Sequence, residues 1–478
     1  MAKRKVSERE TVYLGDPIDE IAADVWRGLE ARSVEIYRAG GRLVRLVDAG
    51  RGPVMEALTG DSFAYMLGES FFWVDARKKK VPLPPAAIVR ALLSTPPASV
   101  RELVTVAAAP FLWGAEIVDR PGYHAPSGIY LSGLTSWRPM PQAEIMEVLE
   151  DWWGDFPFAR DCDRAHAVSL ALLPFVRPAI AGPVPLHLIE APLQGSGKTL
   201  LAQCALGPGL GGRKVAAERL GEDEGEVEKR IASILLSSPP AVLLDNQRGR
   251  LGSPALEAVL TSDSLSVRLL GGNERRELAA RAVWVLTSNN AALSTDLVRR
   301  TVSVRLDHGV ESAAQIQSWR HPDLWGWTLE NGDRLRAALL SMIWIWIQRG
   351  RPAPAQSLSS YGGYSAIVGG ILSACGVPGF LGDRAELAAG ADPEGAEWAA
   401  FVRAWATAYG SELANAASLR ALAYSSGYLD AVLGDGGERS QQIRLGRALE
   451  RMRDRVFGGY RITRRTSGSS GFWALVKT

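Results

Sequence analysis

The residues best suited to chemistry lie in one short turn, Gln194-Gly-Ser-Gly-Lys-Thr199. Small residues in such a turn let successive backbone N–H groups point at one anion, and the positive end of a following helix adds to the attraction. Lys198 can reach the terminal phosphates of a nucleotide, and the Thr199 hydroxyl is a ligand for Mg²⁺. An apolar run precedes the turn and a helical run follows it. This context predicts that ATP phosphates are bound by Gln194, Gly195, Ser196, Gly197, Lys198 and Thr199.

A second apolar run, Pro240–Leu244, ends in Asp245. A carboxylate there can join Thr199 in the Mg²⁺ shell, or it can simply cap the next turn. Asn246 follows, at a position where a glutamate would polarise the attacking water. An amide orients water but is a poor base. Glu190 or Glu228 is then the candidate base, or turnover is slow.

A third apolar run starts near Arg281 and ends in Asn289-Asn290. The Asn289 amide can bond both a γ-phosphate and the attacking water, although an Asn-Asn pair also suits a plain turn. Arg299 and Arg300 follow in the order expected for arginines that reach a neighbouring subunit's nucleotide. A solvated surface pair is the alternative interpretation.

These motifs require a sheet to position them. Apolar runs alternate with helical segments from Val184 to about Asp307, which predicts a wound α/β sheet. The segments on either side differ in pattern: short β-rich and helical runs before it, and mostly helices after it. The predicted domains are therefore an α+β accessory domain over 1–140, the ATPase domain over 141–310, a helical region over 311–393 and a last domain over 394–478.

The order Gly-Ser-Gly-Lys-Thr, Leu-Leu-Asp-Asn, Thr-Ser-Asn-Asn and Asp-Leu-Val-Arg-Arg resembles that of AAA+ ATPases. More narrowly, it is similar to the phage- and poxvirus-type primase-helicases related to superfamily-three helicases, over about residues 140–310. The resemblance implies an α/β fold with a P-loop AAA+ core, ATP and Mg²⁺ as cofactors, and a hexameric ring that hydrolyses ATP between subunits while moving on single-stranded or forked DNA. A separate primase or primase-polymerase is implied too, because no primase signature is recognisable. Pro192 and Asn246 depart from the pattern, which has glycine and glutamate there.

Two basic segments are candidate DNA contacts. Leu265–Glu277 predicts a hairpin turning at Gly271-Gly-Asn273. In the resembling helicases a hairpin at this point enters the ring channel, which makes Arg268, Arg275 and Arg276 candidates. The alternative is a solvated hairpin whose arginines pair with Glu274 and Glu277.

The carboxyl-terminal segment has the order helix, helix, helix, hairpin that is typical of a winged helix. Its third helix is predicted over 441–455, with Ser440 as N-cap. This end of the chain is rich in arginine, which favours phosphate contacts over a protein-docking role. The candidate contacts are Arg444, Arg447, Arg461, Arg464 and Arg465.

The composition restricts the class of protein to which the chain can belong. Hydrophobic residues make up 47% of the 478 residues and charged residues 22%, as in globular proteins. The net charge is only +2, so attraction to DNA must come from local clusters. The three cysteines are far apart, and the greasiest stretch is about half the ~20 residues of a membrane span. These features predict a cytoplasmic protein without a membrane partner.

Three functions stay open at this level. The first is an ATP-driven replicative DNA helicase of a phage or mobile element. The second is a slow ATP switch that binds DNA as an initiator or assembly regulator without unwinding, which Asn246 motivates. The third is an interaction protein that holds its nucleotide only for structure.

Overall fold

The computed structural model describes the chain from residue 9 onward, apart from residues 49, 51, 134–135, 222, 248–249, 269–274, 310–318, 392 and 468–469. The described residues form two compact units. The first contains the chain up to Ala291 together with Arg299–Gly382, and the second contains Ala292–Val298 and Asp383–Thr478. The domain boundaries at 140, 310 and 393 stay predictions.

The amino-terminal region is a mixture of short strands and three helices. Its elements are β1 (Glu10–Tyr13), α1 (Ile18–Ala31), β2 (Ile36–Ala39), β3 (Arg42–Asp48), β4 (Pro53–Ala57), α2 (Gly60–Ser70), β5 (Phe71–Val74), β6 (Lys80–Val81), α3 (Ala86–Ser94), β7 (Thr105–Ala107), β8 (Phe111–Trp113), β9 (Glu116–Val118), β10 (Gly122–His124) and β11 (Ile129–Leu131). Strands β2 and β3 form an antiparallel hairpin that turns at Gly40 and Gly41. Both glycines have positive φ, at 54° and 73°, as a tight hairpin turn requires.

The middle of the chain alternates helices and strands. Its elements are α4 (Gln142–Trp153), α5 (Asp161–Val176), β12 (Leu186–Glu190), α6 (Lys198–Leu206), β13 (Ala217–Glu218), α7 (Glu224–Leu236), β14 (Ala241–Gln247), β15 (Arg250–Leu251), α8 (Pro254–Thr261), β16 (Ser264–Arg268), β17 (Arg275–Ala279), β18 (Val283–Ser288), β19 (Ala292–Leu293), α9 (Thr295–Val298), β20 (Thr301–Arg305), α10 (Leu324–Glu330), α11 (Gly332–Gln348), α12 (Gly362–Tyr364) and α13 (Gly370–Ala374). A π-helical segment, Ser365–Gly369, joins α12 to α13.

Five of these strands form a sheet in the order β13-β14-β18-β12-β20. All four pairings are parallel. Every residue of β12 and of β18 is buried, as expected for strands covered on both faces. The structure is therefore a mixed α/β fold with a parallel sheet, which is compatible with a P-loop-like core.

Several helices share a hydrophobic core with one face of this sheet. Buried residues of α4, α5, α6, α11 and α13 belong to one cluster with those of β12, β14, β18 and β20. Helix α5 contains Pro174 and continues into a short 3₁₀ segment, Arg177–Ala179. Helix α11 is apolar along most of its length, but no helix in the described ranges is long and apolar enough to cross a membrane.

The second unit has its own hydrophobic core. Besides β19 and α9, its elements are α14 (Arg384–Ala391), α15 (Pro393–Tyr409), α16 (Ala416–Ser425), α17 (Asp430–Leu433), α18 (Glu438–Arg451), β21 (Val456–Phe457), β22 (Tyr460–Ser467) and β23 (Ser470–Lys477). The three strands form an antiparallel sheet in the order β21-β22-β23.

The prediction of a helix over 441–455 with Ser440 as its N-cap is wrong. Helix α18 begins at Glu438, three residues earlier than predicted, and ends at Arg451; its N-cap is Gly437, which has an extended backbone. Glu438 then sits in the first turn, where its charge suits the helix dipole. Its carboxylate also pairs with Arg420, at 2.8 Å.

Candidate functional site

The turn at 194–199, which is predicted to bind phosphate, joins the carboxyl end of β12 to the start of α6. Gly195 and Gly197 have φ of 75° and 83°, a region that favours glycine. Gly197 is the N-cap of α6, and a Cβ there would lie 3.1 Å from the Phe156 ring. Ser196 is buried and its hydroxyl donates to the Leu193 carbonyl at 2.6 Å. The turn is thus held in shape by its glycines and by its own hydrogen bonds.

Lys198 lies inside this turn and connects it to β18. Its amine donates to the Leu193 carbonyl at 2.9 Å and to Asn289 Oδ1 at 2.7 Å. Burial lowers the pKa of Lys198, while the charge of Asp245 opposes the change. The structure therefore brings together Lys198 and Asn289, two residues 91 positions apart in sequence.

Thr199 and Asp245 meet beside Lys198. The Thr199 hydroxyl donates to Asp245 Oδ1 at 2.6 Å. Neighbouring ligands on an octahedral Mg²⁺ ion stand about 3 Å apart, given Mg–O distances of about 2.1 Å. The two oxygens are therefore close to the spacing that a shared Mg²⁺ ion needs, and this pair fits the ion.

Thr287, which sequence analysis missed, connects the two polar strand ends. Its hydroxyl donates to Asp245 Oδ1 at 2.7 Å and accepts a hydrogen bond from the Asn246 backbone N–H, also at 2.7 Å. Thr287 is 1% exposed. One buried hydroxyl therefore fixes both the carboxylate of Asp245 and the backbone of Asn246.

Strand β14 is irregular at this point. Leu244 pairs with Leu286 and Gln247 with Ser288, so β14 contains one more residue than β18 over the same span. Such a bulge redirects side chains at a strand end. Asn246 lies in it with φ of 52°. Asparagine tolerates this left-handed region better than glutamate does, which gives a structural reason for the amide at this position.

The two candidate bases differ in their surroundings. Glu190 ends β12 immediately before the turn, is 9% exposed, and pairs with Arg305 at 3.2 Å. Glu228 lies on the exposed side of α7. Since β12 and β14 are parallel members of one sheet, Glu190 and Asp245 both lie near the carboxyl ends of their strands, at the same edge of the sheet. Arg305 was not singled out in the sequence, although its place at the end of a fifth parallel strand was a usable signal.

His308 is a further residue at the turn that sequence analysis missed. Its Nε2 lies 3.4 Å from the Ser196 carbonyl. The imidazole also makes an edge contact with the ring of Trp319, whose side chain is 37% exposed. No sequence motif marked either residue, because the contact depends on how the chain returns after β20.

Arg299 and Arg300 come directly before β20, at the amino ends of the parallel strands, whereas the turn at 194–199 lies at their carboxyl ends. The Arg300 carbonyl accepts a hydrogen bond from Leu186 N–H at 2.8 Å, at the first residue of β12. The turn at 194–199 follows the last residue of β12. A strand rises about 3.3 Å per residue, so the Arg300 backbone is about 13 Å from that end. The structure does not bring the arginine pair to the turn of its own chain.

The predicted DNA contacts fall in two places. Strands β16 and β17 form the antiparallel hairpin, with Arg268 opposite Arg275 and Val267 opposite Arg276. Arg275 is exposed. The turn at Gly271-Gly-Asn273 and Glu274 lie outside the described residues. Glu277 accepts a hydrogen bond from the Ser264 hydroxyl.

The arginines of the second unit fall on different surfaces. Arg444 and Arg447 are exposed on α18, and Arg444 also donates to the Leu433 carbonyl at 3.4 Å. On β22, Arg461 and Arg465 alternate with buried Ile462, so they share the outward face. Arg464 points to the other face, pairs with Glu450 at 3.0 Å and lies over the Trp473 ring.

Comparison with known proteins gives little beyond this geometry. No protein-family model matches the chain, and no curated protein matches it. Among solved structures, the chain is similar to JCV helicase crystallised with a substituted phenoxyphenyl acetamide, with 15% identity and a TM-score of 0.27. The match covers 53% of this chain and 67% of that chain. These values are too low to indicate a shared function, so the site's own contacts carry the functional interpretation.

Proposed function

We propose that this chain is an ATP-dependent DNA helicase of the replicative phage or mobile-element type, built on an AAA+ P-loop core. The observation that carries the proposal is the convergence of four side chains at one edge of the parallel sheet. Lys198 contacts Asn289, and Thr199 contacts Asp245. A cation, a polar amide, a hydroxyl and a carboxylate are the groups that phosphoryl transfer to water requires there.

Mg·ATP would be held by residues already in contact. The N–H groups of the turn would bind the phosphates, and Thr199 with Asp245 would hold Mg²⁺, whose charge would favour the transfer of the phosphoryl group. Lys198 would exchange its bonds to Leu193 and Asn289 for bonds to phosphate oxygens. Asn289 would then be able to orient the attacking water. Asn246 cannot take the proton from that water, and Glu190 is the favoured base because it ends at the same sheet edge.

The arginine pair supports hydrolysis between subunits. The Arg300 backbone lies on the far edge of its own sheet, so Arg299 and Arg300 cannot serve the nucleotide of the same chain without a large displacement. In a ring, this edge of one subunit would face the nucleotide of the next, and the guanidinium groups would stabilise the transition-state charge. We therefore propose a homo-oligomer, and a hexamer in particular.

DNA would contact the two basic surfaces. The β16–β17 hairpin supplies Arg268, Arg275 and Arg276 for the ring channel. The second unit, proposed as a winged helix, supplies Arg444 and Arg447 on α18 and Arg461, Arg464 and Arg465 on β22. A separate primase or primase-polymerase would act on the unwound strands.

Unwinding of a forked DNA duplex tests the proposal. Wild-type protein with Mg·ATP is expected to separate the strands, and Lys198→Ala is expected to lose this activity because the phosphate contact is gone. Lys229→Ala is the matched control, since Lys229 is an exposed lysine paired only with Glu226 among the contacts described. Wild-type protein that binds the fork and hydrolyses ATP without unwinding would overturn the helicase assignment.

One observation favours a second candidate, a slow ATP switch that assembles on DNA as an initiator. Asn246 occupies the base position, and its left-handed backbone disfavours glutamate. The switch predicts that a slowly cleaved ATP analogue promotes assembly on DNA as well as ATP does. The helicase predicts that DNA accelerates ATP turnover. The ATPase rate with and without DNA separates the two.

A further inference from the structure

A second site lies at the other edge of the sheet from the phosphate-binding turn. It is a cavity of about 100 Å³ between the end of α5, strand β7 and the start of β18. Its lining is mostly apolar and includes Val106, Trp113, Ile129 and Leu235. The cavity shares Thr105, Val106, Leu210 and Arg213 with a wider opening of about 510 Å³, which gives it a route to solvent.

Arg177 reaches this cavity from the 3₁₀ segment after α5. Arg177 is 7% exposed. Nε donates to the Arg281 carbonyl at 3.1 Å and Nη1 to the Ile180 carbonyl at 3.2 Å. Nη2 is buried and has no hydrogen-bond partner among the described residues. A buried guanidinium with a free N–H is costly unless an acceptor reaches it.

The charges around the cavity are one-sided. Arg177, Arg213 and Arg281 all line it, and the described residues that line it include no carboxylate. Burial, and then the nearby charge of Arg281, lower the pKa of Arg177 to about 10, although Asp263 acts in the opposite direction. Arg177 is therefore still charged at neutral pH. A negatively charged ligand would therefore be stabilised in a cavity lined by three cations and, among the described residues, no carboxylate.

We propose that this cavity binds a small carboxylic acid with a short apolar body. The carboxylate would form charge-assisted bonds with the arginines that line the cavity, Arg177 above all. The apolar body would contact Val106 and Ile129. A cavity of 100 Å³ is smaller than the roughly 150 Å³ cavity that holds benzene, which limits the enclosed part of the ligand to about the size of butyrate. A phosphate group fits less well, because a dianion loses more hydration than a carboxylate when it enters a largely apolar cavity.

The site is separate from the proposed motor. Ligand bound here would contact β7 in the amino-terminal region and the first residue of β18, whereas Asn289 follows the last residue of β18. Failure of the carboxylate site would leave the nucleotide site untouched. Binding of Mg·ATP, measured on the same samples, distinguishes the two.

Saturation-transfer NMR on the full chain tests the proposal, with butyrate as the probe and butyramide as its neutral analogue. Butyrate is expected to bind saturably, and butyramide at least about tenfold more weakly, because only the anion meets the guanidinium. Arg177→Met is expected to weaken butyrate binding at least about tenfold. Arg334→Met, which removes an exposed arginine of α11, is the control and should bind butyrate as the wild type does.

Val106→Phe is a second, independent variant, needed because Arg177→Met could lose butyrate binding by misfolding. It fills the cavity and keeps all three arginines, so butyrate binding should be lost while Mg·ATP binding is kept. Equal binding of butyrate and butyramide, no binding of either, or unchanged butyrate binding in Val106→Phe would each overturn the site. So would a crystal structure grown with butyrate that contains only water beside Arg177.

Discussion

At the scale of single residues, the Thr287 hydroxyl is the contact on which the geometry of the site most depends. It bridges Asp245 Oδ1 and the Asn246 N–H at 2.7 Å each. Thr287→Val keeps the shape of the side chain and removes both bonds. We expect the ATPase kcat to fall about 10- to 100-fold, since a buried N–H is left without a partner and the Mg²⁺ ligand is no longer fixed.

Thr287→Ser is the matched control because it keeps the hydroxyl. It should retain kcat within a few-fold, and nucleotide binding by the valine variant should change less than its kcat. If valine and serine variants have the same kcat as the wild type, Thr287 is not a positioning residue.

Asn246 yields a second prediction at this scale. Its φ of 52° is tolerated by asparagine and aspartate and disfavoured for glutamate. Asn246→Glu should therefore lower the free energy of unfolding by about 1 kcal/mol, whereas Asn246→Asp should change it little. Thermal unfolding of both variants measures this. Equal melting temperatures would show that backbone strain does not explain the amide.

His187 makes the stability of the protein depend on pH. It is fully buried on β12, 2.9 Å from the Ser169 hydroxyl, and burial followed by the nearby His166 lowers its pKa to about 3. In the unfolded chain the pKa is about 6.5. The unfolded state then binds the extra proton between pH 6.5 and 3, so folding stability is complete above pH 6.5 and is lost as the pH falls.

The expected loss is at most about 1.4 kcal/mol per pH unit below 6.5. Chemical denaturation at pH 7 and pH 5 measures it, and His187→Gln should make the loss smaller. An unchanged pH dependence in that variant would show that other groups cause it.

At the scale of elements, the sequence predicted those helices, strands and hairpins that depend on a local pattern of residues. It predicted the strand before the turn, the helix after it, and the β2–β3 and β22–β23 hairpins, since apolar periodicity and glycine pairs mark such elements. It did not predict the bulge in β14 or the left-handed Asn246, because both arise from pairing with β18. It placed the N-cap of α18 at Ser440, since serine is a common N-cap and the pairing of Glu438 with Arg420 was not visible.

The β22–β23 hairpin allows a test of DNA binding by one element. Arg461 and Arg465 share its outward face, whereas Arg464 is paired with Glu450. Glutamine at both Arg461 and Arg465 should weaken DNA binding and reduce the slope of log affinity against log salt by about 2, one for each lost phosphate contact. Fluorescence anisotropy over a salt series measures the slope.

Arg464→Gln is the comparison within the same strand. Its effect on the slope should be smaller, because its charge is already balanced by Glu450. A slope that is unchanged in the double variant would exclude this face as a phosphate contact.

At the scale of the whole molecule, the position of Arg299 and Arg300 predicts shared sites. Because the Arg300 backbone lies on the edge opposite the turn at 194–199 of its own chain, the proposed ring predicts that Arg300→Ala lowers the ATPase of the neighbouring subunit. We expect a loss of about 10³-fold in homogeneous mutant protein. In mixtures with wild type, activity should fall more steeply than in proportion to the mutant fraction.

The control for the mixtures is Arg334→Ala, an exposed arginine of α11. Mixtures of this variant with wild type should keep the wild-type ATPase rate at every ratio. A strictly linear decline with the Arg300 variant would show that each chain hydrolyses ATP alone.

The site was partly predictable at this scale. Lys198 and Thr199 were predicted from the glycine-containing turn. Asp245 and Asn289 were predicted from the ends of apolar runs, because parallel strands bring their carboxyl ends to one edge. Thr287 lies inside a strand, and Arg305 and His308 follow a later one, so no local pattern marked their contribution. The Arg177 cavity depends on packing between the amino-terminal region and the sheet, which the sequence does not encode locally.

Calorimetric titration of the folded protein with Mg·ATP is the most direct test of the central claim, that the turn at 194–199 binds a nucleotide and its metal. The account predicts one saturable site per chain, strongly weakened by Lys198→Ala and dependent on Mg²⁺. Absence of binding by the folded wild-type protein, or equal binding by the Lys198 variant, would contradict it.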